Sequence, residues 1–297
     1  MMKIIHIILL FTLINLFACS PPKEAPLKII ANSWIGYSPL FYAKEKGWLE
    51  PLNIQILTVI SLGESLNIYE SAELDAFTGT QYEFNQVQQK DPTIMPIIMF
   101  DRSNGGDSIM ANQSIQALQD TTQTIDVYLE IHSVNQLVFK DFIKTHHLSH
   151  KKFNYRNKNQ LKIYSILQDA IPTNTPTIII TYSPYTQKLT SLGLQELAST
   201  RQGLELLIID SLFTPKQTFL QNQPKFKQLK KLIDQAIIDL ETDPHQYYET
   251  VKMHLEDISY HDFLNSLEGI EWLNTQPLPI KLQQRLNQAQ FPIQDLI

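Results

Sequence analysis

Short apolar runs alternate with helical patterns along the first part of the chain, and this alternation constrains the fold more than any other sequence feature. The apolar runs predict strands at residues 27–31, 53–59, 75–78 and 94–100. The stretches between them predict helices, among them residues 64–72 and 82–89. Strands that alternate with helices favour a mostly parallel sheet whose faces are covered by the helices. We therefore expect an α/β fold.

Cap residues support the positions of the helices. Ser38 and Pro39 are typical of an N-cap followed by a proline at the first helical position, and Gly47 stands where a C-cap belongs. Asp243 and Pro244 predict the start of a later helix in the same way.

A glycine-bearing break at residues 102–107 separates these elements from a second set. The second set holds predicted strands at residues 108–111, 125–129, 177–181 and 206–209. Its helices are predicted from Ser133 to about His147 and at residues 158–170. The remainder is predicted to be nearly all helical, with Thr214 and Pro215 at the start of one helix. Two α/β sets and a helical tail predict two lobes with a cleft between them.

Composition narrows the class of protein. The 297 residues suffice for two lobes with separate cores. A net charge of −6 without an extended basic patch argues against nucleic-acid binding. Cys19 is the only cysteine, so neither a disulfide within the chain nor a thiolate metal site can form. We interpret His146 and His150 as cations at a helix end rather than as zinc ligands, and we expect no metal and no cofactor.

The N-terminus resembles the export signal of a lipoprotein. Lys3 precedes an apolar run at residues 4–17, and Leu-Phe-Ala-Cys at residues 16–19 resembles the lipobox of bacterial lipoproteins. This resemblance implies a signal peptide at residues 1–18, an acylated Cys19 and a proline-rich linker at residues 19–26. It implies an exported protein, anchored by lipid at the cell membrane or outer membrane and facing the periplasm or the cell exterior. The alternative is an uncleaved anchor, although a spanning helix needs about 20 apolar residues.

A second resemblance begins at the first predicted helix. Residues 34–47 read Trp-Ile-Gly-Tyr-Ser-Pro-Leu-Phe-Tyr-Ala-Lys-Glu-Lys-Gly. They resemble the opening of the nitrate/sulfonate/taurine-type solute-binding proteins of ABC importers, which share their fold with binders of pyrimidine precursors. Further segments resemble elements of this family in the same order, at residues 71–76, 103–109, 181–184 and 208–210. The resemblance covers roughly residues 27–244.

The resemblance implies the type II periplasmic-binding-protein fold, in which two α/β lobes close on a solute. It implies a lobe I of residues 27–107 and 205–297, with the helical C-terminal tail, and a lobe II of residues 108–204. The partners that it implies are a small-molecule solute and an ABC permease with its ATPase, and we expect a monomer. The chain departs from the family at Tyr182 and Ser183, where Trp and Glu are usual.

Candidate ligand-binding residues lie where open α/β sheets hold their ligands, beyond the carboxyl ends of strands and at helix N-termini. In lobe I they are Trp34, Tyr37, Ser38, Thr78 and Thr80. At the crossing between lobes they are Ser103, Gly105, Gly106 and Asp107, and in lobe II they are Ser133, Tyr182 and Tyr185. Helix N-termini suit anionic groups, and aromatic faces suit a flat ring or an ammonium. Because Arg102 is the only cation in these loops, we expect a zwitterionic or heteroaromatic solute rather than nitrate.

Each candidate also has a purely structural interpretation. Trp34 is alternatively a core residue, Tyr37 a residue that packs at a helix start, and Asp107 a cap of the following turn. Tyr182 and Tyr185 are alternatively surface tyrosines.

Three functions remain open at this stage. The first is a substrate-binding lipoprotein of an ABC importer, for a sulfonate/taurine-like, nitrate-like or aminopyrimidine-like solute. The second is an enzyme of the same fold, of the pyrimidine-synthase or menaquinone-pathway type, although the cysteine-rich motif of the former is missing. The third is a lipoprotein that senses a ligand without transporting it. No catalytic residue is predicted.

Overall fold

The computed structural model describes residues 24–256, 258–274 and 277–297. The predicted signal peptide, Cys19 and most of the linker lie outside the described residues, so lipidation stays a prediction. Within the described part of the chain, no helix has both the length and the apolar character that crossing a membrane requires.

Two sheets contain the strands of the described chain. In chain order the strands are β1 (Leu27–Asn32), β2 (Ile54–Val59), β3 (Ala76–Gly79), β4 (Ile94–Ser103), β5 (Asp107–Ala111), β6 (Ile125–Leu129), β7 (Phe153–Asn157), β8 (Thr177–Tyr182), β9 (Gln195–Ser199), β10 (Ile209–Pro215) and β11 (Ile270–Trp272). The first sheet has the order β11-β4-β10-β3-β1-β2, and the second has the order β7-β6-β8-β5-β9. Strands β10 and β11 run antiparallel to the rest of the first sheet, as β5 does in the second. Both sheets are mixed, with two parallel strand pairs in each, so they are less parallel than predicted. Helices flank both sheets, which confirms the predicted α/β class.

Helices cover both sheets. In chain order they are α1 (Ser38–Glu45), α2 (Leu62–Ser71), α3 (Gln81–Gln88), α4 (Ile115–Asp120), α5 (Asn135–Thr145), α6 (Gln160–Asp169), α7 (Tyr185–Ser191), α8 (Lys216–Thr242), α9 (Pro244–Val251), α10 (Tyr260–Leu267) and α11 (Ile280–Gln288). A short 3-10 turn, Ile35–Tyr37, connects β1 to α1. The long helix α8 is kinked at Asn222, two residues before Pro224, because proline removes a backbone donor and clashes with the preceding turn.

The chain crosses between the two sheets twice. It leaves the first sheet between β4 and β5, and it returns between β9 and β10. We call the first sheet with its helices lobe I and the second sheet with its helices lobe II. Hydrogen bonds join the two crossings, because Thr200 Oγ1 lies 2.8 Å from Ser103 Oγ and accepts from the backbone N–H of Gly105 at 2.8 Å.

The core of lobe I lies on both faces of its sheet. On one face α1 packs against α8 and α9, and Tyr42 stacks on Tyr247 with 4.5 Å between ring centroids. On the other face Phe213 of β10 stacks on Phe77 and Phe84 at 5.1 and 5.3 Å. This division follows from the alternation of side chains along each strand.

Most predicted elements of the first lobe are confirmed within a few residues, but three predictions are wrong. The strand predicted at residues 206–209 is in fact β10, Ile209–Pro215. Thr214 and Pro215 therefore end this strand instead of starting a helix, and α8 begins at Lys216. Sequence patterning missed β10 because Asp210, Ser211 and Thr214 are polar yet buried in the centre of the sheet. Ser38 is not the N-cap of α1: it is the first helical residue, and its Oγ lies 3.1 Å from the hydroxyl of Tyr247.

Candidate ligand-binding site

A small, partly open cavity lies between the two lobes, and the space between atoms there amounts to about 290 Å³ with the open solvent at its mouth included. Lobe I contributes Asn32, Trp34, Leu62, Thr80 and Asp210 to its lining, and lobe II contributes Asp107, Val134 and Tyr182. Ile208, on the returning crossing, completes the lining. Both lobes therefore contact whatever occupies this space.

The ends of the strands explain why these residues meet. Asn32 ends β1, Thr80 follows β3, and Tyr182 ends β8, so these residues lie at the carboxyl ends of parallel strands. Asp107 and Asp210 lie instead at the amino ends of β5 and β10. Because those two strands run antiparallel, their amino ends reach the same edge of each sheet.

Two aromatic rings form walls of the cavity. Trp34 and Tyr182 meet edge to face, with ring centroids 5.7 Å apart and an interplanar angle of 88°. Tyr185 contacts Tyr182 in the same way at 6.1 Å. The indole packs on the crossing, where a Cβ on Gly106 would lie only 2.9 Å from Trp34 Cη2. Glycine is therefore needed at this position for the indole to reach the cavity.

The indole also approaches a buried carboxyl across a second glycine. A Cβ on Gly36 would lie 2.1 Å from Asp101 Oδ2 and 2.4 Å from Trp34 Nε1, far inside van der Waals contact. The Trp-Ile-Gly-Tyr segment thus places its glycine where Trp34 and Asp101 converge. Trp34 Nε1 and both carboxyl oxygens of Asp101 are buried and have no hydrogen-bond partner among the residues that the structure describes.

Three buried aspartates in or behind the lining of the cavity have raised pKa values. Burial raises the pKa of Asp107 to about 6, although a hydrogen bond with Ser103 partly offsets this rise. Burial and then the charge of Asp107 raise the pKa of Asp101 well above its usual range. Burial and then the charge of Asp101 do the same for Asp210, despite the hydrogen bond that the Tyr37 hydroxyl donates to it. A positive charge in the cavity would counter these rises.

Two buried glutamates connect the lobes next to the cavity. Glu83 Oε2 accepts from the backbone N–H and the hydroxyl of Thr80 at 2.9 and 2.6 Å, and its Oε1 accepts from Val134 N of lobe II at 3.1 Å. Glu130 of lobe II accepts from Gly63 N of lobe I at 3.2 Å. Burial raises the pKa of Glu83 and raises that of Glu130 to about 7.

Basic side chains near the crossings are bound elsewhere. Among the described residues, no Lys, Arg or His lines the cavity. Arg102 pairs with Glu271 of β11. Arg201 donates to the backbone carbonyls of Asn104 and Glu268. The cavity is therefore acidic and aromatic in character.

Four of the twelve predicted ligand-binding residues line the cavity, namely Trp34, Thr80, Asp107 and Tyr182. The structural alternative for the two tyrosines is wrong, because Tyr182 and Tyr185 are only 8% and 2% exposed and are not surface residues. Asp107 is also more than a cap, since its side chain is 5% exposed and reaches the lining.

Three predicted residues of lobe I lie behind the cavity. Tyr37 is fully buried, and its hydroxyl donates to Asp210, so it orients a lining carboxylate. Ser38 is bonded to Tyr247 in the core. Thr78 is fully buried, and its Oγ1 has no hydrogen-bond partner within the described part of the chain.

The remaining predicted residues lie around the rim of the lining. Ser103 Oγ accepts from Asp107 N at 3.0 Å, and Gly105 and Gly106 form the crossing beside it. Ser133 Oγ donates to the carbonyl of Glu130 at 2.9 Å, below the start of α5. The Tyr185 hydroxyl donates a hydrogen bond to the carboxylate of Glu256.

Sequence reasoning missed five residues of the lining, namely Asn32, Leu62, Val134, Ile208 and Asp210. Asn32 could have been predicted, because it is a polar residue at the carboxyl end of a predicted strand, where ligands of open α/β sheets bind. Asp210 could not be predicted in this way, because it lies near the beginning of a strand. Leu62, Val134 and Ile208 are apolar and are not distinguishable from core residues in the sequence.

Comparison with known proteins places the fold. No protein-family model and no curated protein sequence matches the chain. Solved structures do match the chain. One is the ligand-binding component of an ABC-type import system from Staphylococcus aureus, with zinc bound. Its TM-score is 0.67 and its identity 12%, and the match covers 90% of this chain and 92% of that one. The alkanesulfonate-binding protein of Xanthomonas axonopodis pv. citri, bound to MOPS, has a TM-score of 0.66 and 14% identity, covering 91% and 93%.

A third match widens the range of ligands among these neighbours. The periplasmic nitrate-binding protein of Synechocystis has a TM-score of 0.60 and 13% identity, covering 86% of this chain and 75% of that one. The chain therefore has the fold of the periplasmic binding proteins of ABC import systems, as the sequence resemblance implied.

Proposed function

We propose that this chain is an extracytoplasmic substrate-binding protein of an ABC importer, which captures a small organic solute between its lobes. The observation that carries the proposal is the cavity itself, since its lining is drawn from both lobes and from a crossing. Residues predicted as a signal peptide and a lipidated Cys19 support an anchored location outside the cytoplasm. The partners in this proposal are an ABC permease and its ATPase, and the chain acts as a monomer.

Capture in this proposal is closure of the lobes around the solute, which stabilises the closed form. Contacts across the cleft are already made in the structure. Tyr82 of lobe I donates its hydroxyl to Gln136 of lobe II at 2.7 Å, in addition to the contacts of Glu83 and Glu130. Apolar side chains also cross the cleft, because Tyr182 packs in the hydrophobic cluster of lobe I and Leu62 in that of lobe II.

Glu256 holds the lobes together at a further point. Its carboxylate accepts from the Ser33 hydroxyl of lobe I and from the Tyr185 hydroxyl of lobe II. Glu256→Ala removes both bonds, and bonds to charged groups contribute about 1.5–3 kcal/mol each. We expect the variant to keep its fold and to have a larger radius of gyration in small-angle X-ray scattering without solute. Glu241→Ala, which changes an exposed glutamate of α8, is the matched control, and an equal increase in both variants contradicts the assignment.

The solute classes under this proposal are those of the sequence analysis: sulfonates, nitrate, amines and aminopyrimidines. The test is a thermal-shift screen of the purified full-length chain against these classes. A solute that binds only the folded state at about 100 times its Kd adds about 2.7 kcal/mol of stability. Because Trp34 lines the cavity, a true solute also changes the tryptophan fluorescence, and Trp34→Phe reduces that change. A flat response to all classes overturns the proposal.

A further inference from the structure

Three residues of the lining offer hydrogen-bond acceptors to the cavity. Asp107 and Asp210 contribute carboxyl groups, and Asn32, which is 1% exposed, contributes its side-chain oxygen. Asn32 Oδ1 has no hydrogen-bond partner among the described residues, although it belongs to the lining. A buried acceptor without a partner costs about 1–3 kcal/mol, so a solute with an N–H group at this point is favoured.

No positively charged side chain compensates the carboxyl groups of the cavity. Among the described residues, the lining of the cavity contains two aspartates and no Lys, Arg or His, and Asp101 and Glu83 add buried carboxyl groups behind it. Burial raises the pKa values of Asp107 and Asp210, and a bound sulfonate or nitrate would raise them further, because its charge disfavours their ionised forms. A bound cation instead favours the ionised carboxylates and is attracted by them.

The aromatic walls specify what kind of cation fits. The Trp34 and Tyr182 rings present faces and edges to the cavity, and cation–π attraction adds to the burial of a flat apolar body. A metal ion is a poor occupant, because the described residues contain no group of three or more His, Cys, Asp or Glu that could hold one. An organic cation uses both the carboxylates and the rings.

We infer that the cavity binds a small organic cation with N–H groups and a flat or compact apolar body, such as a protonated amine, an amidine or a protonated amino-heterocycle. In this arrangement the N–H groups donate to Asp107, Asp210 and Asn32 Oδ1, and the apolar body lies against Trp34 and Tyr182. This inference rests on the proposed function and narrows its solute to one charge class. It departs from the sulfonate and nitrate that name two of the structural neighbours.

The test uses probes that share a flat ring and differ in charge. Benzamidine, benzyl alcohol and benzenesulfonate are titrated into the full-length chain at pH 8, with binding measured by calorimetry and thermal shift. We expect benzamidine to bind at least tenfold more tightly than benzyl alcohol and benzenesulfonate not to bind. Tetramethylammonium, a cation without N–H groups, is expected to bind more weakly than benzamidine, because it cannot donate to Asn32.

Variants assign the binding to the lining carboxylates. Asp107→Asn and Asp210→Asn each remove a carboxyl group that a bound cation holds ionised, with little change of shape, and each is expected to weaken benzamidine binding at least tenfold. Asp120→Asn changes an exposed aspartate at the end of α4 and is expected to leave the affinity unchanged. Two lining variants are tested because one of them could fail to fold, and the melting temperature of each variant reports on its folding.

The outcomes separate this inference from the proposed function. If an anion or neutral solute is the tighter ligand in the broader screen, the charge class is wrong and solute capture stands. If benzamidine binds with equal affinity to the wild-type chain and to both aspartate variants, binding occurs elsewhere and the inference is overturned. If no cation binds, the inference is overturned, and if in addition no solute of any class binds, the proposed function is overturned with it.

Discussion

The free energy of unfolding of the ligand-free chain is expected to fall as the pH rises from 4 to 8. Asp107 and Glu130 ionise near pH 4 in the unfolded chain, whereas in the folded chain their pKa values are about 6 and about 7. Between these limits the folded chain binds more protons than the unfolded chain, so raising the pH favours unfolding. Their contribution is fully present below pH 4 and is lost as the pH passes through 6 and 7.

The size of this effect follows from the pKa differences. One pKa unit corresponds to about 1.4 kcal/mol, so each of the two groups contributes about 3 kcal/mol of loss. The raised pKa values of Glu83, Asp101 and Asp210 act in the same direction. Urea denaturation at intervals between pH 4 and pH 8 measures the slope. Asp107→Asn should flatten it and should raise the stability at pH 8 in the absence of solute.

A stability that rises from pH 5 to pH 8 contradicts this account, because it requires the cavity carboxylates to be better solvated in the folded chain. Adding a cationic solute that binds the chain provides a further check of this pH dependence. Since a cation favours the ionised carboxylates, its stabilising effect should be larger at pH 8 than at pH 5.

Trp34→Ala is expected to abolish solute binding and to lower the free energy of unfolding by about 3–5 kcal/mol. The indole is 7% exposed, packs edge to face on Tyr182 and lines the cavity, so its removal enlarges the cavity and deletes one wall. The measurements are urea denaturation and calorimetry with benzamidine or with another solute that the screen identifies. Trp34 is therefore both a core residue and a cavity residue, and the two interpretations from the sequence are not exclusive.

Trp48→Ala is the matched control for this prediction. Trp48 packs edge to face on Tyr42 at 5.5 Å, on the outer side of α1, and does not line the cavity. We expect this variant to lose stability while it keeps its affinity. Trp34→Phe further separates the effect on stability from the effect on binding, because it retains most of the packing and an aromatic face that Trp34→Ala removes. An unchanged affinity in Trp34→Ala places the solute outside the cavity.

The fold was predictable because it depends on local periodicity. The apolar run of β4 is uninterrupted from Ile94 to Phe100, and those of β1 and β2 are interrupted only by single polar residues. The predicted cap Asp243 accepts a hydrogen bond at the start of α9. Strands β7, β9 and β11 were missed, since they are short and partly exposed and their side chains follow no strong alternation. All three lie at the edge of a sheet, and pairing with a single neighbouring strand, rather than a pattern in their sequence, makes them strands.

The lining of the cavity was predictable from strand positions where it obeys the rule for the carboxyl ends of parallel strands, and Asp107, at the amino end of β5, was predicted from its place at the crossing between the lobes. Trp34, Thr80 and Tyr182 obey this rule, and the structure places all three in the lining. Asp210 does not, because the direction of β10 is set by the whole topology of the sheet. Tyr37 was expected to face the solute, but the tight turn at Gly36 directs it into the core, where it reaches Asp210.

The bonded pair of crossings has a mechanical consequence. Thr200 ties the outgoing strand connection to the returning one through Ser103 and Gly105, and Arg201 adds a bond to the carbonyl of Asn104 at 3.1 Å. These bonds hold the two crossings beside each other and oppose sliding of one past the other. Under the proposed function, we therefore expect the lobes to open by rotation about the joined crossings, which places solute entry and exit on the opposite side of the cavity.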